Sequence, residues 1–319
     1  MKAFRFPQLV PLAACSILGT LAAQASVSYN TANSLYLQNF DSLPNTPENA
    51  SLGATPAGWT DDNAAPGAGN FSIAGWYLYY PTATTEGGFN GHQRFRNSGA
   101  PGNTGSFYSL GQSGSTERAL GDIGANTLAP DGQTGNDAGN IYIALRLSNN
   151  TGQTLDNFTL SYTGEQWRDG GVSTAETMSF GYSTIATANT NDATFFGYSS
   201  NIVNVASLGW TTPKATATIA TLNGNDAANR VLVNAVTVSG INWQPGTDLW
   251  LRWTDPQLSG KADAAMAIDD LSFSADIAVA PEPSTAGLIG LGFAALAVLR
   301  RKSKETPKLQ RAGGSGARK

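Results

Sequence analysis

The chain has 319 residues, with 19 Lys or Arg, 23 Asp or Glu, one His and one Cys. Because the single cysteine, Cys15, lies near the N-terminus, disulfide bonds and thiol chemistry are excluded from the rest of the chain. Residues 26–280 contain nine Lys or Arg and twenty-one Asp or Glu, a net charge near −12, which argues against nucleic-acid binding. His92 is the sole histidine, so a Ser-His-Asp triad would have to use it, and a histidine-based zinc site is excluded.

Residues 1–25 have the features of a secretory signal peptide. Basic residues come first, an apolar stretch follows, and Ala23-Gln24-Ala25 ends the segment with small residues at the positions that a signal peptidase requires. An alternative is a lipobox at Leu12-Ala13-Ala14-Cys15, which would make Cys15 a lipidated N-terminus. The apolar run before Cys15 is short, so cleavage after Ala25 is favoured. The chain is therefore predicted to be exported.

Residues 26–280 are predicted to form one all-β domain. Short runs of alternating apolar and polar residues are separated by turns rich in Gly, Asn and Asp, and no apolar stripe of helical period extends over three turns. About ten strands with long loops predict a two-sheet sandwich of the jelly-roll type. The predicted strands are Ser34–Phe40, Trp76–Tyr80, Ser106–Leu110, Ala119–Ile123, Ile141–Leu147, Phe158–Tyr162, Met178–Tyr182, Ala215–Leu222, Arg230–Val238, Leu249–Trp253 and Met266–Phe273.

Two further local predictions concern the connections. The strands at Ile141–Leu147 and Phe158–Tyr162 flank a turn at Asn149–Gly152, a pattern typical of a β-hairpin. The Gly-rich stretches Ala64–Gly69 and Thr82–Thr104 are predicted to be loops.

The C-terminal region contains a predicted membrane anchor. Pro281-Glu282-Pro283 precedes fourteen apolar residues, Ala286–Leu299, and Arg300-Arg301-Lys302 follows them. A helix of this length measures about 21 Å, short of the roughly 30 Å hydrocarbon core, so a buried core helix is the alternative. The prolines before the run and the cations after it favour a single transmembrane helix at 286–299 and a basic cytoplasmic tail at 305–319.

This order of Pro-Glu-Pro, a short apolar helix and a basic stop resembles the PEP-CTERM sorting signal of Gram-negative bacteria, here at residues 281–304. The resemblance implies recognition by an exosortase, which cleaves near the motif, and a link to exopolysaccharide and biofilm production. Pro281, Glu282 and Pro283 would be the recognition element, and Arg300, Arg301 and Lys302 the stop. The tail after the apolar run is longer than is usual in this family.

The segment 26–280 also has a looser resemblance to MAM-like and concanavalin-A-like jelly rolls. Its basis is Phe40-Asp41 and Gly58-Trp59-Thr60 near the start, and Ala267–Leu271 (AIDDL) near the end. Ser161–Arg168 and Leu249–Trp253 resemble a domain that recurs in secreted bacterial proteins. These likenesses imply a fold rather than an activity.

Asp269 and Asp270 lie where the strand pattern changes phase. Met266 and Ile268 share one parity, whereas the apolar positions after the two aspartates have the other, so a β-bulge or an inward carboxylate is required there. Asp41 on an early strand can join them, because the first and last strands of jelly rolls are often neighbours. Hard oxygen ligands of this kind suit a structural Ca²⁺. The alternative is two aspartates that accept hydrogen bonds from turn amides.

Four aromatic residues are candidates for carbohydrate binding: Trp76, Tyr77, Tyr79 and Trp167. Along a strand, Trp76 points one way and Tyr77 and Tyr79 the other, so one set is predicted to enter the core. The other set could form an exposed platform for sugar rings, although burial of both faces is more common. Trp167 lies between Glu165 and Asp169.

Two functions follow from these observations. The first is an envelope or matrix protein, exported and anchored or processed by exosortase, that presents a non-catalytic sandwich to polysaccharide. The second is a secreted carbohydrate-active hydrolase that uses Glu165 or Asp169 as an acid–base carboxylate. Its alternative is an ordinary salt bridge between Glu165 and Arg168. No residue is identified as catalytic from sequence motifs.

Overall fold

The computed structural model describes residues 26–45, 73–79, 95–98, 105–124, 140–184, 201–256 and 263–278, together with Leu296 and Arg300. Within the described residues up to 278, the backbone forms fifteen β-strands and one short 3-10 helix, Ala206–Leu208, joined by turns and loops. This confirms the predicted all-β class. The chain separates into two compact units, Met1–Ile277 and Ala278–Lys319, and every strand belongs to the first.

The strands differ widely in length, and the three longest, of 16, 14 and 12 residues, lie in one sheet. In chain order they are β1 (Val27–Tyr29), β2 (Tyr36–Gln38), β3 (Trp76–Tyr79), β4 (Phe95–Ser98), β5 (Ser106–Leu110), β6 (Ala119–Ile123), β7 (Ile141–Asn149), β8 (Leu155–Gly170), β9 (Thr177–Ser183), β10 (Val203–Asn204), β11 (Trp210–Thr211), β12 (Ile219–Thr221), β13 (Arg230–Trp243), β14 (Asp248–Asp255) and β15 (Ala265–Asp276).

Two sheets pack face to face, as the sequence predicted for a jelly-roll sandwich. The seven-stranded sheet has the order β1-β7-β14-β9-β10, with β3 also paired to β7 and β11 to β9. The eight-stranded sheet has the order β12-β8-β15-β6-β5-β4, with β13 also paired to β8 and β2 to β15. The long strands pair antiparallel, whereas β1 pairs with β7 and β4 with β5 in parallel.

The hydrophobic core follows the alternation of side chains along each strand. In β14, Leu249, Leu251 and Trp253 lie in the large core, whereas Trp250 belongs to a separate cluster. In the same way Trp76 of β3 enters the large core and its neighbour Tyr77 joins Trp250. The predicted opposite orientation of these neighbours is therefore confirmed, because successive side chains of a strand point to opposite faces.

The prediction of a hairpin between β7 and β8 is wrong. β7 pairs with β14 in the seven-stranded sheet, whereas β8 pairs with β15 in the eight-stranded sheet. The turn between them therefore crosses from one sheet to the other. Asn149 stabilises this crossing, since its Nδ2 donates to the carbonyl oxygens of Gln153 at 2.8 Å and Trp243 at 3.0 Å. Both strands contribute apolar side chains to one core, but from opposite sides.

Several predicted boundaries also need correction. β1 precedes the predicted first strand, Ser34–Phe40, of which Tyr36–Gln38 forms β2. The predicted loop Thr82–Thr104 contains β4, and the rest of it lies outside the described residues, as does Ala64–Gly69. The structure has more strands than were predicted, because in places two short strands pair with different parts of one longer strand. For example, both β10 and β11 pair with β9.

The predicted signal peptide and nearly all of the predicted anchor at 286–299 lie outside the described residues. Leu296 and Arg300 are helical and exposed. Among the residues that are described, no helix combines the length and the apolar character needed to cross a membrane.

Candidate metal centre

A β-bulge in β15 positions Asp269 and Asp270. Asp269 lies opposite Thr163 of β8, and the pairing resumes at Ser272 opposite Ser161, so β15 has one residue more than β8 in this interval. Asp270 has a φ of 49°, a left-handed conformation that Asp tolerates better than most residues. The bulge confirms the predicted change of phase, because Ile268 before it and Leu271 after it both enter the core.

Three carboxylates meet on the side of the eight-stranded sheet that faces away from the main core. Glu117, just before β6, Glu165 of β8 and Asp269 of β15 each place one oxygen within 4.8 Å of the others. Glu165 is 1 % exposed and Asp269 is 4 % exposed, and Glu117 is half-buried. These residues are separated by tens of positions in sequence, and strand pairing brings them together: Glu165 lies directly opposite Ala267, two residues before Asp269.

The loop 222–229 covers this carboxylate group. Its backbone bonds to β8 at two places, from Leu222 N to the Trp167 carbonyl and from Gln166 N to the Asn229 carbonyl, both within 2.9 Å. Gly224 packs so closely on the Trp167 ring that an added Cβ would lie 2.3 Å from its Nε1. The side chain of Asn225 donates its amide to Glu117 Oε2.

Few donors satisfy the three carboxylates. Trp167 Nε1 donates to Glu165 Oε2 at 2.9 Å, while Oδ1 of Asp269 is buried without a hydrogen-bond partner. Burial raises the pKa of Glu165 to about 7, and the nearby carboxylate of Glu117 adds to this, whereas Arg230 opposes it. The pKa of Asp269 is also raised, first by burial and then by the charge of Glu165, whereas a backbone hydrogen bond from Asp270 to this carboxylate lowers it.

The structure places the other two predicted metal ligands elsewhere. Strands β2 and β15 are neighbours, as predicted, with Gln38 opposite Leu271. However, Asp41 accepts hydrogen bonds from Asn39 Nδ2 at 2.6 Å and from Arg118 N at 3.3 Å, and it is not among the three converging carboxylates. Asp270 is exposed and lines a surface cavity of about 380 Å³ together with Leu37, Gln38, Asn39 and Leu271.

Sequence reasoning considered Glu165 as an acid or base and did not consider Glu117 as a ligand. The sequence did indicate the face on which Glu165 lies. Side chains alternate along a strand, and Glu165 is an odd number of residues from the core residues Leu160 and Tyr162, so its carboxylate lies on the face away from the core. No local pattern connects Glu117 to this face.

Asp169 has a structural use that differs from the predicted acid–base role. Its carboxylate accepts hydrogen bonds from Gly171 N at 2.9 Å, Thr216 N at 3.1 Å and Thr216 Oγ1 at 2.7 Å, and so fixes the end of β8. The guanidinium of Arg168 donates to the carbonyl oxygen of Asp263 at 2.8 Å. His92 lies outside the described residues.

The aromatic candidates for sugar binding are buried. Trp76 stacks on Trp253, with centroids 5.6 Å apart, and its Nε1 donates to the Tyr36 hydroxyl at 2.9 Å. Trp167 is buried beneath loop 222–229. Neither ring is open to a sugar, so these two residues follow the more common outcome of burial and not the alternative of an exposed platform.

Tyr77 lies in a second aromatic cluster, on the face of the seven-stranded sheet opposite the core, but it too is buried. Its ring is 5.1 Å from that of Trp250. The guanidinium of Arg146 lies over Trp250 at 5.5 Å, and that of Arg252 lies over Tyr142 at 5.1 Å. The side chain of Tyr79 is outside the described residues.

A second set of acidic residues is buried at one end of the space between the sheets. It comprises Asp122 of β6, Asp255 at the end of β14, Glu176 before β9 and Asp263 before β15. Both oxygens of Glu176 accept a hydrogen bond from Ala264 N, at 2.8 and 3.0 Å. Burial raises the pKa of Glu176 to about 8, assisted by the charge of Asp255.

Asp122 and Asp255 form a buried pair, at 1 % and 2 % exposed. Burial is the main cause that raises the pKa of both carboxyls, and for Asp255 the charge of Asp122 adds to it. The hydrogen-bond partner of the Asp122 carboxyl is the carboxyl of Asp255, which can donate to it only when the pair holds a proton. Two adjacent buried carboxyls resist simultaneous ionisation, so the pair retains a proton well above the usual pH range for aspartate.

Residues 279–302 match the family model of the PEP-CTERM protein-sorting motif. The match includes Pro281–Pro283 and Arg300–Lys302, and it confirms the predicted sorting signal of an exosortase substrate. The motif indicates an exported protein. No curated protein matches the chain.

Solved structures with a similar arrangement of strands include an adhesin domain and carbohydrate-binding modules. The K3 cleaved adhesin domain of Lys-gingipain from Porphyromonas gingivalis is 14% identical, with 63% of this chain and 92% of that chain covered and a TM-score of 0.32. The CBM22-1 xylan-binding domain from Paenibacillus barcinonensis is 9% identical, with 79% and 100% covered and a TM-score of 0.31. A CBM28 module specific for non-crystalline cellulose is 11% identical, with 64% and 89% covered and a TM-score of 0.29.

Proposed function

We propose, from the PEP-CTERM protein-sorting motif at residues 279–302, that this protein is delivered by an exosortase to the envelope or exterior of a Gram-negative cell. There its β-sandwich serves as a non-catalytic module that contacts exopolysaccharide. The observation that carries the proposal is the matched motif, with Pro-Glu-Pro before the apolar run and three cations after it. The signal peptide at 1–25 and the anchor at 286–299 are parts of the same proposal.

The non-catalytic part is supported by the positions of the acidic residues. A glycosidase needs two carboxyl groups on either side of an accessible glycosidic bond. Asp169 accepts three hydrogen bonds, one from Gly171 and two from Thr216, and Glu165 is buried beneath loop 222–229. A polysaccharide has no path to Glu165 in this arrangement, so turnover is not expected from this pair.

The contact with polysaccharide is inferred from the link between this sorting system and exopolysaccharide. Purified protein is expected to be retarded in native gels that contain the polysaccharide of the producing strain, and to leave that polysaccharide uncleaved. A glycan array with residues 26–280 extends the same test to defined sugars. Absence of binding to every polysaccharide would remove this part of the proposal, and release of shorter sugars would remove the non-catalytic part.

The sorting motif gives a separate prediction. When Pro281, Glu282 and Pro283 are all replaced by alanine in the full chain, we expect the unprocessed form to accumulate in the membrane fraction of an exosortase-containing host. The reason is that recognition of the motif precedes cleavage and release. The measurement is the size and location of the tagged chain by cell fractionation and immunoblotting.

A matched control for this experiment lies just beyond the motif. Glu305→Ala combined with Pro307→Ala removes the same two residue types outside residues 279–302 and should leave processing unchanged. Deletion of the exosortase should reproduce the effect of the motif variant. Identical processing of the motif variant and the unaltered chain would contradict the proposed route.

A further inference from the structure

We infer that Glu117, Glu165 and Asp269 form a Ca²⁺ site on the eight-stranded sheet, beneath loop 222–229. Three carboxylates alone do not make a metal site, since acidic groups often cluster without one. The independent observation is Asp269 Oδ1, which is buried, lacks a hydrogen-bond donor and belongs to the residue whose carboxylate reaches both glutamates. A buried carboxylate oxygen without a donor is expensive unless a cation or a proton accompanies it.

The spacing of the oxygens suits a calcium ion. The converging oxygens lie within 4.8 Å of one another. Two oxygens that contact one Ca²⁺ at about 2.4 Å can lie at most about 4.8 Å apart, so the spacing of these oxygens meets this condition for a shared ion, with water or carbonyl oxygens completing the coordination. Mg²⁺ fits less well, because it demands a tighter octahedron of oxygens at about 2.1 Å and gives up its own water reluctantly. The ligands are all hard oxygens, which disfavours zinc and copper.

The carboxylates at this site outnumber the positive side chains beside them, so the site has a net negative charge that a cation would neutralise. Asp270 lies next to Asp269 in sequence, and Arg230, directly opposite Glu165 on β13, is the positive group that acts on Glu165 among the residues that the structure describes. Arg230 is exposed, so water weakens its attraction for the buried carboxylates. Trp167 and Asn225 supply neutral hydrogen bonds, which do not remove charge. Three carboxylates with one exposed arginine therefore favour a divalent ion.

The same residues are poorly placed for acid–base catalysis, which is the main alternative use of adjacent carboxylates. A catalytic pair must reach the substrate, whereas Glu165 and Asp269 are 1 % and 4 % exposed. A metal ion needs far less access than a polymer. Burial therefore favours a structural ion over a reaction at this site.

A bound ion would cross-link three segments of the chain at a place where the β-bulge interrupts the hydrogen bonds between β8 and β15. Glu117 precedes β6, Glu165 lies in β8 and Asp269 lies at the bulge of β15, where the regular ladder is interrupted. Through Asn225 the ion also fixes loop 222–229 over the sheet. If the protein is exported as proposed, calcium would be scarce before export and plentiful after it, so the site would fill outside the cytoplasm. This last point alone rests on the proposed function.

The test compares thermal unfolding of the purified full chain in EDTA and in an excess of CaCl₂, at a pH of about 8. We expect Ca²⁺ to raise Tm by about 5 °C, and Mg²⁺ to raise it less, because a ligand that binds only the folded state stabilises it. Asp269→Asn should abolish the calcium shift while raising Tm in EDTA, since the amide that replaces the buried carboxyl carries no charge and takes up no proton on folding. A calcium shift of equal size in Asp269→Asn would overturn the assignment, as would the absence of a shift in the unaltered chain.

Asp270→Asn is the matched control. It removes the same charge one residue away, at an exposed position with a left-handed φ that Asn also tolerates, and it should retain the calcium shift. Loss of the shift in this variant too would indicate a general charge effect and would overturn the proposed ligand set.

Terbium luminescence provides a second test, because it detects a bound ion directly. If Asp269 only stabilised the fold and bound no ion, no such emission would arise. Tb³⁺ replaces Ca²⁺ at oxygen sites and emits when a nearby indole transfers energy to it. Trp167 is hydrogen-bonded to Glu165, so excitation of tryptophan should give terbium emission that Ca²⁺ displaces and that Asp269→Asn removes. Emission that persists in Asp269→Asn would contradict the site. Both measurements use purified protein without polysaccharide or exosortase. A negative result would therefore not count against the proposed function, and failure of the polysaccharide or processing tests would not count against the calcium site.

Discussion

Replacement of Trp253 by alanine is expected to lower the free energy of unfolding by about 3–5 kcal/mol and Tm by about 10 °C. Trp253 is fully buried and lies among three other rings of the core. Its centroid is 5.6 Å from Trp76, 5.2 Å from Phe180 and 5.7 Å from Tyr162. These rings come from both sheets, so the cavity left by the indole would reduce contact across the whole sandwich.

Urea denaturation followed by circular dichroism, with linear extrapolation to water, measures this effect. Leu232→Ala is the control, because Leu232 is 66 % exposed on β13 and its removal should change stability by less than about 0.5 kcal/mol. Similar losses for the two variants would contradict the central position assigned to Trp253.

Stability is expected to fall by roughly 3 kcal/mol or more as the pH rises from about 5 to about 8 in the presence of EDTA. The main cause is the buried acids between the sheets, and Glu165 and Asp269, whose pKa values are also raised by burial, add to it in the same direction. Glu176 has an ordinary pKa of 4.5 and holds its proton to about pH 8 in the folded protein. The pKa values of Asp122 and Asp255 are also raised from 3.8 by burial.

The direction follows from proton binding. Between the ordinary pKa values near 4 and the raised values of the folded state, the folded protein binds more protons than the unfolded chain. Its stabilisation by these groups is therefore complete at low pH and is lost as the pH rises through the folded-state values. Above that range these acids are ionised in both the folded and the unfolded state, so they should cause no further change of stability with pH.

Asp122→Asn identifies the groups responsible. Asn cannot ionise, so this variant should be more stable than the unaltered chain at about pH 8 and should have a shallower pH dependence. Asp226→Asn, at an exposed turn position, should leave the dependence unchanged. A pH dependence that is the same in all three proteins, measured by urea denaturation across the range, would rule out the buried pair as its source.

Local pattern predicted the strands well where one face of a strand enters the core. β5 and β6 have the predicted bounds, and the opposite orientations of Trp76 and Tyr77 follow from simple alternation. The bulge at Asp269 was predictable for the same reason, because a change of parity within one apolar strand requires an extra residue. These features depend on residues within one strand.

The same pattern did not predict how strongly the face opposite the core is buried. Alternation indicates that Tyr77 and Trp167 point away from the main core, and such a face is often solvated in antiparallel sheets. Here both residues are buried, Tyr77 against Trp250 and Trp167 beneath Gly224. Burial on that side depends on what covers the strand, and parity carries no information about it.

The sequence alone determined the sorting motif at residues 279–302, the all-β class and the position of the bulge, since each depends on neighbouring residues whose order is read directly. The partners of β7 and β8, and the convergence of Glu117, Glu165 and Asp269, were decided by the tertiary structure. The physical reason is that alternation specifies the face to which a side chain points but not the strand that lies beside it. Residues as far apart as Glu117 and Asp269 become neighbours only through hydrogen-bonded pairing of distant strands around a shared core.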